Sequence, residues 1–362
     1  MSKKIKVAII GCGAIANSAH IPAYMKNEKA EIKYFCDIIP ERADAAVEKY
    51  GCGKAVYDYH EILDDPELDS VSVCTHNDLH SVIAIDFMRA GKDVLSEKPA
   101  ARVLSEALEM QKVAHETGRI LSIGVCNRFG TAVNHIKDLI DAGELGEVYH
   151  VYASFRANRS IPGIGGDFTR KSASGGGTLI DWGVHYLDLI LYCCGEPKPL
   201  TASGEAFCKL GKNIKDYVYT GMWAENTADM DGVYDVDDSV TGIIRTDGPT
   251  ISFNGAWAEN IGESETYIDF IGDKAGIRHQ YCGGFVLYSV KNGMLLRSEP
   301  KFRSKDFYEE EINSFVDCVI TREHNRADID LAIATSKIMQ AVYDHIDIYA
   351  LYVLDELIPL QP

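Results

Sequence analysis

The stretch Ile5-Lys6-Val7-Ala8-Ile9-Ile10-Gly11-Cys12-Gly13-Ala14-Ile15-Ala16 decides the fold. Ile5–Ile10 is apolar apart from Lys6, which predicts a buried strand. The pattern Gly-x-Gly-x-x-Ala follows at once and opens a helical stretch to about Asn27. Gly11 permits the tight turn, Gly13 lets backbone approach a pyrophosphate, and Ala16 keeps the helix close to the sheet. A helix N-terminus offers free N–H groups and a positive dipole end to phosphates. The strand–turn–helix therefore predicts a dinucleotide site, with Gly11, Gly13, Ala14 and Ile15 against the cofactor.

The next strand, Ile32–Cys36, ends at Asp37. A carboxylate there accepts hydrogen bonds from ribose hydroxyls and repels a 2′-phosphate, which favours NAD over NADP. Ile38-Ile39-Pro40 adds no cation, while Arg42 is near enough in sequence to keep NADP as the alternative. Asp37, Ile38 and Arg42 are thus expected on the cofactor. Further along, short apolar strands (Val71–Cys74, Asp93–Ser96, Ile120–Val125) alternate with helical stretches (Glu41–Tyr50, Ser81–Arg89, Leu104–Thr117). That alternation implies a parallel sheet covered on both faces.

The character changes after Val125. Beyond one more helix, about Thr131–Ala142, come long strands at Val148–Arg156, Ser239–Arg245, Thr250–Trp257, Thr266–Ile271 and Phe285–Val290. Helices are expected at Thr178–Cys194, Asp306–Thr321 and Asp328–His345. The expected fold is an N-terminal α/β Rossmann domain, doubly wound on a parallel sheet, over residues 1–125. Residues 126–362 follow as a C-terminal α/β domain of α+β character with a large, mostly antiparallel open sheet, and a ligand cleft lies between the two.

Composition narrows the partners. The 362 residues are 46% hydrophobic and 25% charged, an ordinary globular mix. A formal net charge of -18 argues against nucleic acid or an anionic membrane as partner. Met1-Ser2-Lys3-Lys4 leads straight into a strand without a signal-like apolar region, and no apolar run reaches the ~20 residues of a membrane span. The ten cysteines are scattered with no CxxC pair, as in reduced thiols of a cytoplasmic protein.

Gly91-Lys92-Asp93-Val94-Leu95-Ser96-Glu97-Lys98-Pro99 puts Lys98 at the carboxyl end of an expected parallel strand, where open α/β sheets hold their ligands. Pro99 biases Lys98 away from helical geometry. A lysine there can hydrogen-bond and polarise a reacting hydroxyl or carbonyl. Downstream, Gly175-Gly176-Gly177-Thr178-Leu179-Ile180-Asp181-Trp182-Gly183-Val184-His185-Tyr186-Leu187-Asp188 reads as an apolar helix. Asp181, His185 and Asp188 at i, i+4 and i+7 form a polar stripe on it. Buried polar groups are paired or used. The stripe reads as an Asp–His pair, structural or catalytic; with no third ligand at recognisable spacing, no metal site is expected.

These three motifs, in this order, resemble the glucose–fructose oxidoreductase / inositol dehydrogenase (Gfo/Idh/MocA) family, whose members carry GxGxxG/A, AGKxVxxEKP and GGGxLxDxGxHxxD. The resemblance implies Lys98, Asp181 and His185 as the catalytic set. His185 would be the general base, Asp181 would orient that imidazole or hold a substrate hydroxyl, and Lys98 would stabilise the developing alkoxide; both Lys98 and His185 qualify as final proton acceptor. It also implies cofactor contacts from Thr75, Asn77, His80, Glu97, Lys98 and Asn127. The family's Thr-Pro-Asn-x-x-His reads Thr75-His76-Asn77-Asp78-Leu79-His80 here, so His76 replaces a proline.

The expected activity is NAD-dependent hydride transfer between nicotinamide and a hydroxyl of a sugar, glycoside or cyclitol. Asp-Trp-Gly-Val-His, Val236-Asp237-Asp238-Ser239 and Gly255-Ala256-Trp257 are similar to enzymes oxidising glycosides at sugar C3. Alternatives are an NAD-dependent glycosidase working by transient oxidation and elimination, and a non-catalytic NAD- or sugar-binding regulator. Phe155–Ser174 reads as a substrate wall whose Arg156, Arg159, Arg170 and Lys171 either bind a carboxylate or the cofactor phosphates, or are simply solvated. Trp182 and Trp257 either stack on a sugar ring or belong to the core. A homo-oligomer, dimer or tetramer, is expected through the open sheet face.

Overall fold

A computed structural model describes residues 4–222, 224, 227–323, 325–348 and 352–353. The chain divides into two compact units: Met1–Phe129 with Lys305–Ile333, and Gly130–Ser304 with Ala334–Pro362.

In the first unit six parallel strands, β1 (Ile5–Ile10), β2 (Ala30–Cys36), β3 (Lys54–Val56), β4 (Ser70–Val73), β5 (Asp93–Glu97) and β6 (Leu121–Gly124), lie in the order β3-β2-β1-β4-β5-β6. This is the doubly wound Rossmann order, with its switch point between β1 and β4. Alternation along β1 builds two cores. Ile5, Val7 and Ile9 join Ile21, Tyr24 and Ala46 on one face. Ala8 and Ile10 join Ile83, Phe87 and Met110 on the other.

Residues 305–333 belong to this unit rather than following on from the second, which a single division near residue 125 does not describe. The reason is burial. The helix Phe307–Thr321 places Ile312, Phe315 and Val316 in the core with Ile9, Tyr24 and Leu95. Behind it, Arg322 Nη1 donates to Asp93 Oδ2 at 2.5 Å and Asn325 Nδ2 to Ser122 Oγ at 2.8 Å.

The second unit is built on a nine-stranded sheet. Its strands are β7 (Val148–Arg156), β8 (Pro199–Phe207), β9 (Ser239–Thr246), β10 (Thr250–Ala256), β11 (Glu265–Gly272), β12 (Ala275–Gln280), β13 (Phe285–Lys291), β14 (Met294–Ser298) and β15 (Tyr352–Val353). They run β14-β13-β12-β11-β7-β10-β9-β8-β15, and β7/β10 is the parallel pair in an otherwise antiparallel sheet. Val151, Ala153 and Phe155, with Phe253 and Phe270, turn inward onto Leu187, Ile190 and Leu191 of the helix Val184–Cys193. Strands β8, β12 and β14 were not expected from the sequence, because Pro-Leu-Thr-Ala-Ser-Gly-Glu-Ala-Phe and Ala-Gly-Ile-Arg-His-Gln carry little regular alternation.

Candidate active site

Gly11 adopts φ +91°, and a Cβ on it would stand 2.6 Å from the Cys74 carbonyl oxygen at the end of β4. Its N–H donates to the Cys36 carbonyl at the end of β2, at 2.8 Å. The turn is thus wedged between the carboxyl ends of both neighbouring strands, where no side chain fits. At Gly13 a Cβ would meet nothing within 4 Å, so the backbone there lies open. Ala14 is exposed and Ile15 half-buried. A turn closed beneath and open above is what a dinucleotide phosphate requires.

The helix that follows is irregular. Over Ala16–His20 it is wound in i→i+5 fashion, with Ile21 N donating to Ala16 O. Pro22 explains the register, since it lacks an N–H and its ring presses on the carbonyl four residues back. The wide turn carries His20 into the interior, where it is 1% exposed.

Asp37 performs a task the sequence did not announce. Its Oδ2 accepts from Cys12 N at 2.8 Å and its Oδ1 from Ile39 N at 2.9 Å, so the carboxylate braces the glycine turn. Ile38 beside it is 83% exposed, and Arg42 is exposed as well.

At the β4 and β5 ends, Thr75, Asn77 and Lys98 are half-buried. His80 is wholly buried, with Nε2 3.1 Å from Thr75 O and Nδ1 2.9 Å from Pro99 O. Burial lowers its pKa although both carbonyls pull the other way, so a neutral ring has one N–H to give. His80 thus stands between the Thr75 and Pro99 segments and can donate to one of the two carbonyls, Pro99 O being the nearer. Asn127 is buried just past β6.

Glu97 is buried behind Lys98. Its Oε1 lies 2.8 Å from His20 Nε2, and its Oε2 accepts from the Lys98 backbone N–H at 3.1 Å. Tyr24 and His20 both reach Ser72 Oγ, at 2.9 and 3.3 Å. Burial alone would lower the His20 pKa, yet Cys74 and Glu97 raise it well above the ordinary imidazole value. Burial would likewise raise Glu97, and the His20 hydrogen bond and charge bring it below its ordinary value. The two form a buried ion pair at the end of β5. His20 went unnoticed in the sequence because its partner is 77 positions away.

In the second unit, the backbone of Gly177 passes directly against Asp237: a Cβ on this glycine would overlap the Asp237 peptide. The Asp237 carboxylate accepts from Gly177 N at 2.7 Å, Leu179 N at 3.1 Å and Tyr343 OH at 2.7 Å. It thus satisfies N–H groups that open a helix. The expected single helix over Thr178–Cys194 is two pieces: an i→i+5 turn at Leu179–Gly183, then α-helix over Val184–Cys193. Asp181 lies in the wide turn and His185 in the first α-turn; both are half-buried, whereas Asp188 is 1% exposed. Asp181 Oδ2 accepts from Trp257 Nε1 at 3.1 Å, and the His185 ring stands 6.5 Å from the Tyr281 ring, which stacks on Tyr186.

Arg156 is paired with Glu265 at 2.7 Å and Glu259 at 3.4 Å, Arg159 with Glu259 O and Asn260, and Arg170 with Asp167. Arg156 and Arg170 are thus ion-paired with carboxylates, whereas the Arg159 guanidinium donates to neutral oxygens and keeps its charge. Trp257 is fully buried in a satellite core, while Trp182 is half-buried.

Residues 5–125 match the model of an oxidoreductase family with an NAD-binding Rossmann fold, and residues 133–278 match the GFO/IDH/MocA C-terminal domain. The chain belongs to the Gfo/Idh/MocA family. It is 33% identical over 277 residues to D-glucoside 3-dehydrogenase of Escherichia coli (strain K12), covering 76% of this chain and 77% of that one. Levoglucosan dehydrogenase, solved with NADH and levoglucosan, shares the fold at TM-score 0.83 and 19% identity, over 97% of this chain and 100% of that one. KijD10, a 3-ketoreductase from Actinomadura kijaniata solved with NADP and TDP-benzene, does so at TM-score 0.76 and 20% identity, over 94% and 98%. Among the described residues of this Gfo/Idh/MocA oxidoreductase, no three His, Cys, Asp or Glu are grouped to hold a metal ion, and no helix is long and apolar enough to cross a membrane.

Proposed function

We propose that this oxidoreductase transfers hydride between NAD and a hydroxyl of a neutral sugar or glycoside, with Lys98, Asp181 and His185 as its catalytic residues. The observation that carries the reading is the helix start at Gly177–His185. A half-exposed carboxylate and imidazole stand on an otherwise apolar helix whose N-terminus a buried aspartate holds in place. The likeness to D-glucoside 3-dehydrogenase supports a sugar substrate and makes the C3 hydroxyl the first position to test. The pairing of Arg156 with Glu265 and of Arg170 with Asp167 supports a neutral substrate.

Nicotinamide, when bound, supplies the hydride acceptor or donor. Gly11, Gly13, Ala14 and Ile15 would hold the phosphates, and Asp37 with Ile38 the adenosine ribose. Asp37 favours NAD, because its carboxylate would face a 2′-phosphate at close range. Thr75, Asn77 and Lys98 border the carboxyl ends of β4 and β5, with His80 and Glu97 positioning them. His185 takes the hydroxyl proton, Asp181 steadies the imidazolium or a neighbouring hydroxyl, and Lys98 offsets negative charge on the reacting oxygen. A homo-oligomer through the open face of the nine-stranded sheet belongs to the same reading. Ile243 and Val290 are exposed on it, apolar side chains of the kind that interfaces cover.

The test follows NADH absorbance with NAD and a panel of sugars, glycosides and cyclitols. Turnover with a neutral glycoside, lost in Lys98→Ala and His185→Ala while NAD still binds, is the expected result. Release of aglycone without net NADH would replace the reading with an eliminating glycosidase. NAD binding with no product would leave a regulator.

A further inference from the structure

We propose that Trp257 is a positioning residue for Asp181, fixing the catalytic carboxylate to the wall of the sugar site; the inference rests on the role given to Asp181 above. Trp257 directly follows β10 and is held at both backbone groups. Its N–H donates to Asp238 O at 2.9 Å, and its carbonyl accepts from Ser160 N at 2.7 Å. Asp238 in turn is anchored by Lys209 N and Gly211 N, each 2.8 Å from Oδ2. The indole lies in a satellite core with Ile161, Ile164, Val236 and Ala258. That core is closed by Tyr217 and Tyr219, whose hydroxyls accept from Ile161 N at 3.2 Å and Ile164 N at 2.9 Å. Three segments, 157–164, 208–219 and 228–238, therefore converge on one fully buried tryptophan.

An indole has one polar atom, and here it points at Asp181 Oδ2, 3.1 Å away. A side chain with two torsions, packed on all sides, holds that N–H in a fixed place at little entropic cost. Asp181 sits in the i→i+5 turn of Leu179–Gly183, where its backbone N–H donates to Gly177 O at 3.0 Å and the indole fixes its side chain. With Oδ2 bound to the indole, the plane of the carboxylate is set relative to the imidazole one turn on. Fully buried, Trp257 acts through Asp181.

Trp257→Phe keeps a ring in the core and deletes the N–H. We expect kcat for the sugar to fall about tenfold, the scale of one hydrogen bond to a charged group. Sugar KM and NAD affinity should stay within about twofold. In an Asp181→Asn background the same change should lower kcat no further, because the group it acts through is already disabled. Losses that multiply in the double variant would overturn the inference, as would full activity of Trp257→Phe. A second readout keeps Trp257 intact. In protein labelled with 15N-tryptophan, Trp182→Phe and Trp223→Phe assign the remaining indole N–H resonance to Trp257. Asp181→Asn should move that resonance upfield, and an unmoved resonance would refute the contact itself. If Asp181→Asn retains full kcat while the resonance moves, the bond stands and the catalytic role of Asp181 is what fails.

Discussion

His20 Nε2 lies 2.8 Å from Glu97 Oε1, and both side chains are buried. One comes from the wide turn after the glycine fingerprint, the other from the end of β5, so the pair joins the glycine turn to the Glu97-Lys98-Pro99 segment. Removing one partner from a buried ion pair leaves the other uncompensated. Glu97→Gln is expected to cost about 3–5 kcal/mol of unfolding free energy at neutral pH, read by urea titration.

The pH dependence of that loss follows from both shifts. His20 is raised above 6.5, so its contribution is complete below 6.5 and disappears as pH climbs through the raised value. Glu97 is lowered below 4.5, so its contribution is complete above 4.5 and disappears as pH falls through the lowered value. The gap between wild type and Glu97→Gln should be widest between 4.5 and 6.5 and narrow on either side. A gap that grows steadily toward alkaline pH would show that the pair is not ionised.

Gly11→Ala sets a Cβ 2.6 Å from the Cys74 carbonyl oxygen and forces a left-handed φ on alanine. Strain of this kind is on the order of 1–3 kcal/mol, and the turn must move to relieve it. NAD affinity, measured by calorimetry, should fall at least about tenfold. Gly13→Ala starts from open space and is a sharper probe. If it also weakens NAD while the fold stays intact, the lost room is room the cofactor uses.

Asp37 makes cofactor choice and loop stability inseparable. Asp37→Ser removes the charge that, on the proposed reading, would face a 2′-phosphate, and also the carboxylate that accepts from Cys12 N and Ile39 N. Activity with NAD should fall by about 10–100-fold, while the ratio of kcat/KM for NADP over NAD rises by a similar factor. An unchanged ratio would mean that Asp37 only braces the turn.

What the sequence disclosed was local. Gly11, Gly13 and Ala16 declare a turn because their spacing and the strand before it are contiguous, and Glu97-Lys98-Pro99 declares a strand end in the same way. The parallel sheet followed, since apolar strands and helices alternate within a short reach. Partnerships across long separations were not visible. Nothing near His20 points to Glu97, nothing near Asp37 says that it grips Cys12, and Trp257 reads equally as core or platform until Asp181 appears beside its nitrogen. The polar stripe was legible, but the wide turn beneath Asp181 was not, because apolar spacing does not distinguish i→i+5 from i→i+4 over one turn.

Asp237 offers the last test, where two effects oppose each other. Burial raises its pKa above 3.8, while the hydrogen bonds from Tyr343, Gly177 and Leu179 pull it back. Asp237→Asn relieves the buried charge but replaces one acceptor oxygen with an NH2 group facing donors. Charge-assisted bonds of this type contribute roughly 1.5–3 kcal/mol each, so the lost bond outweighs the relief. The variant should lose about 2 kcal/mol at neutral pH. A raised carboxyl contributes stability below 3.8 and loses it as pH rises through the folded value, and asparagine lacks this term. The deficit of Asp237→Asn, followed by urea titration, should therefore deepen on acidification toward 3.8. Because Asp237 holds the start of the helix bearing Asp181 and His185, kcat should fall with it while NAD affinity, set in the other unit, stays unchanged. A fall in NAD affinity that matches the fall in kcat would mean that the variant loosens the whole chain.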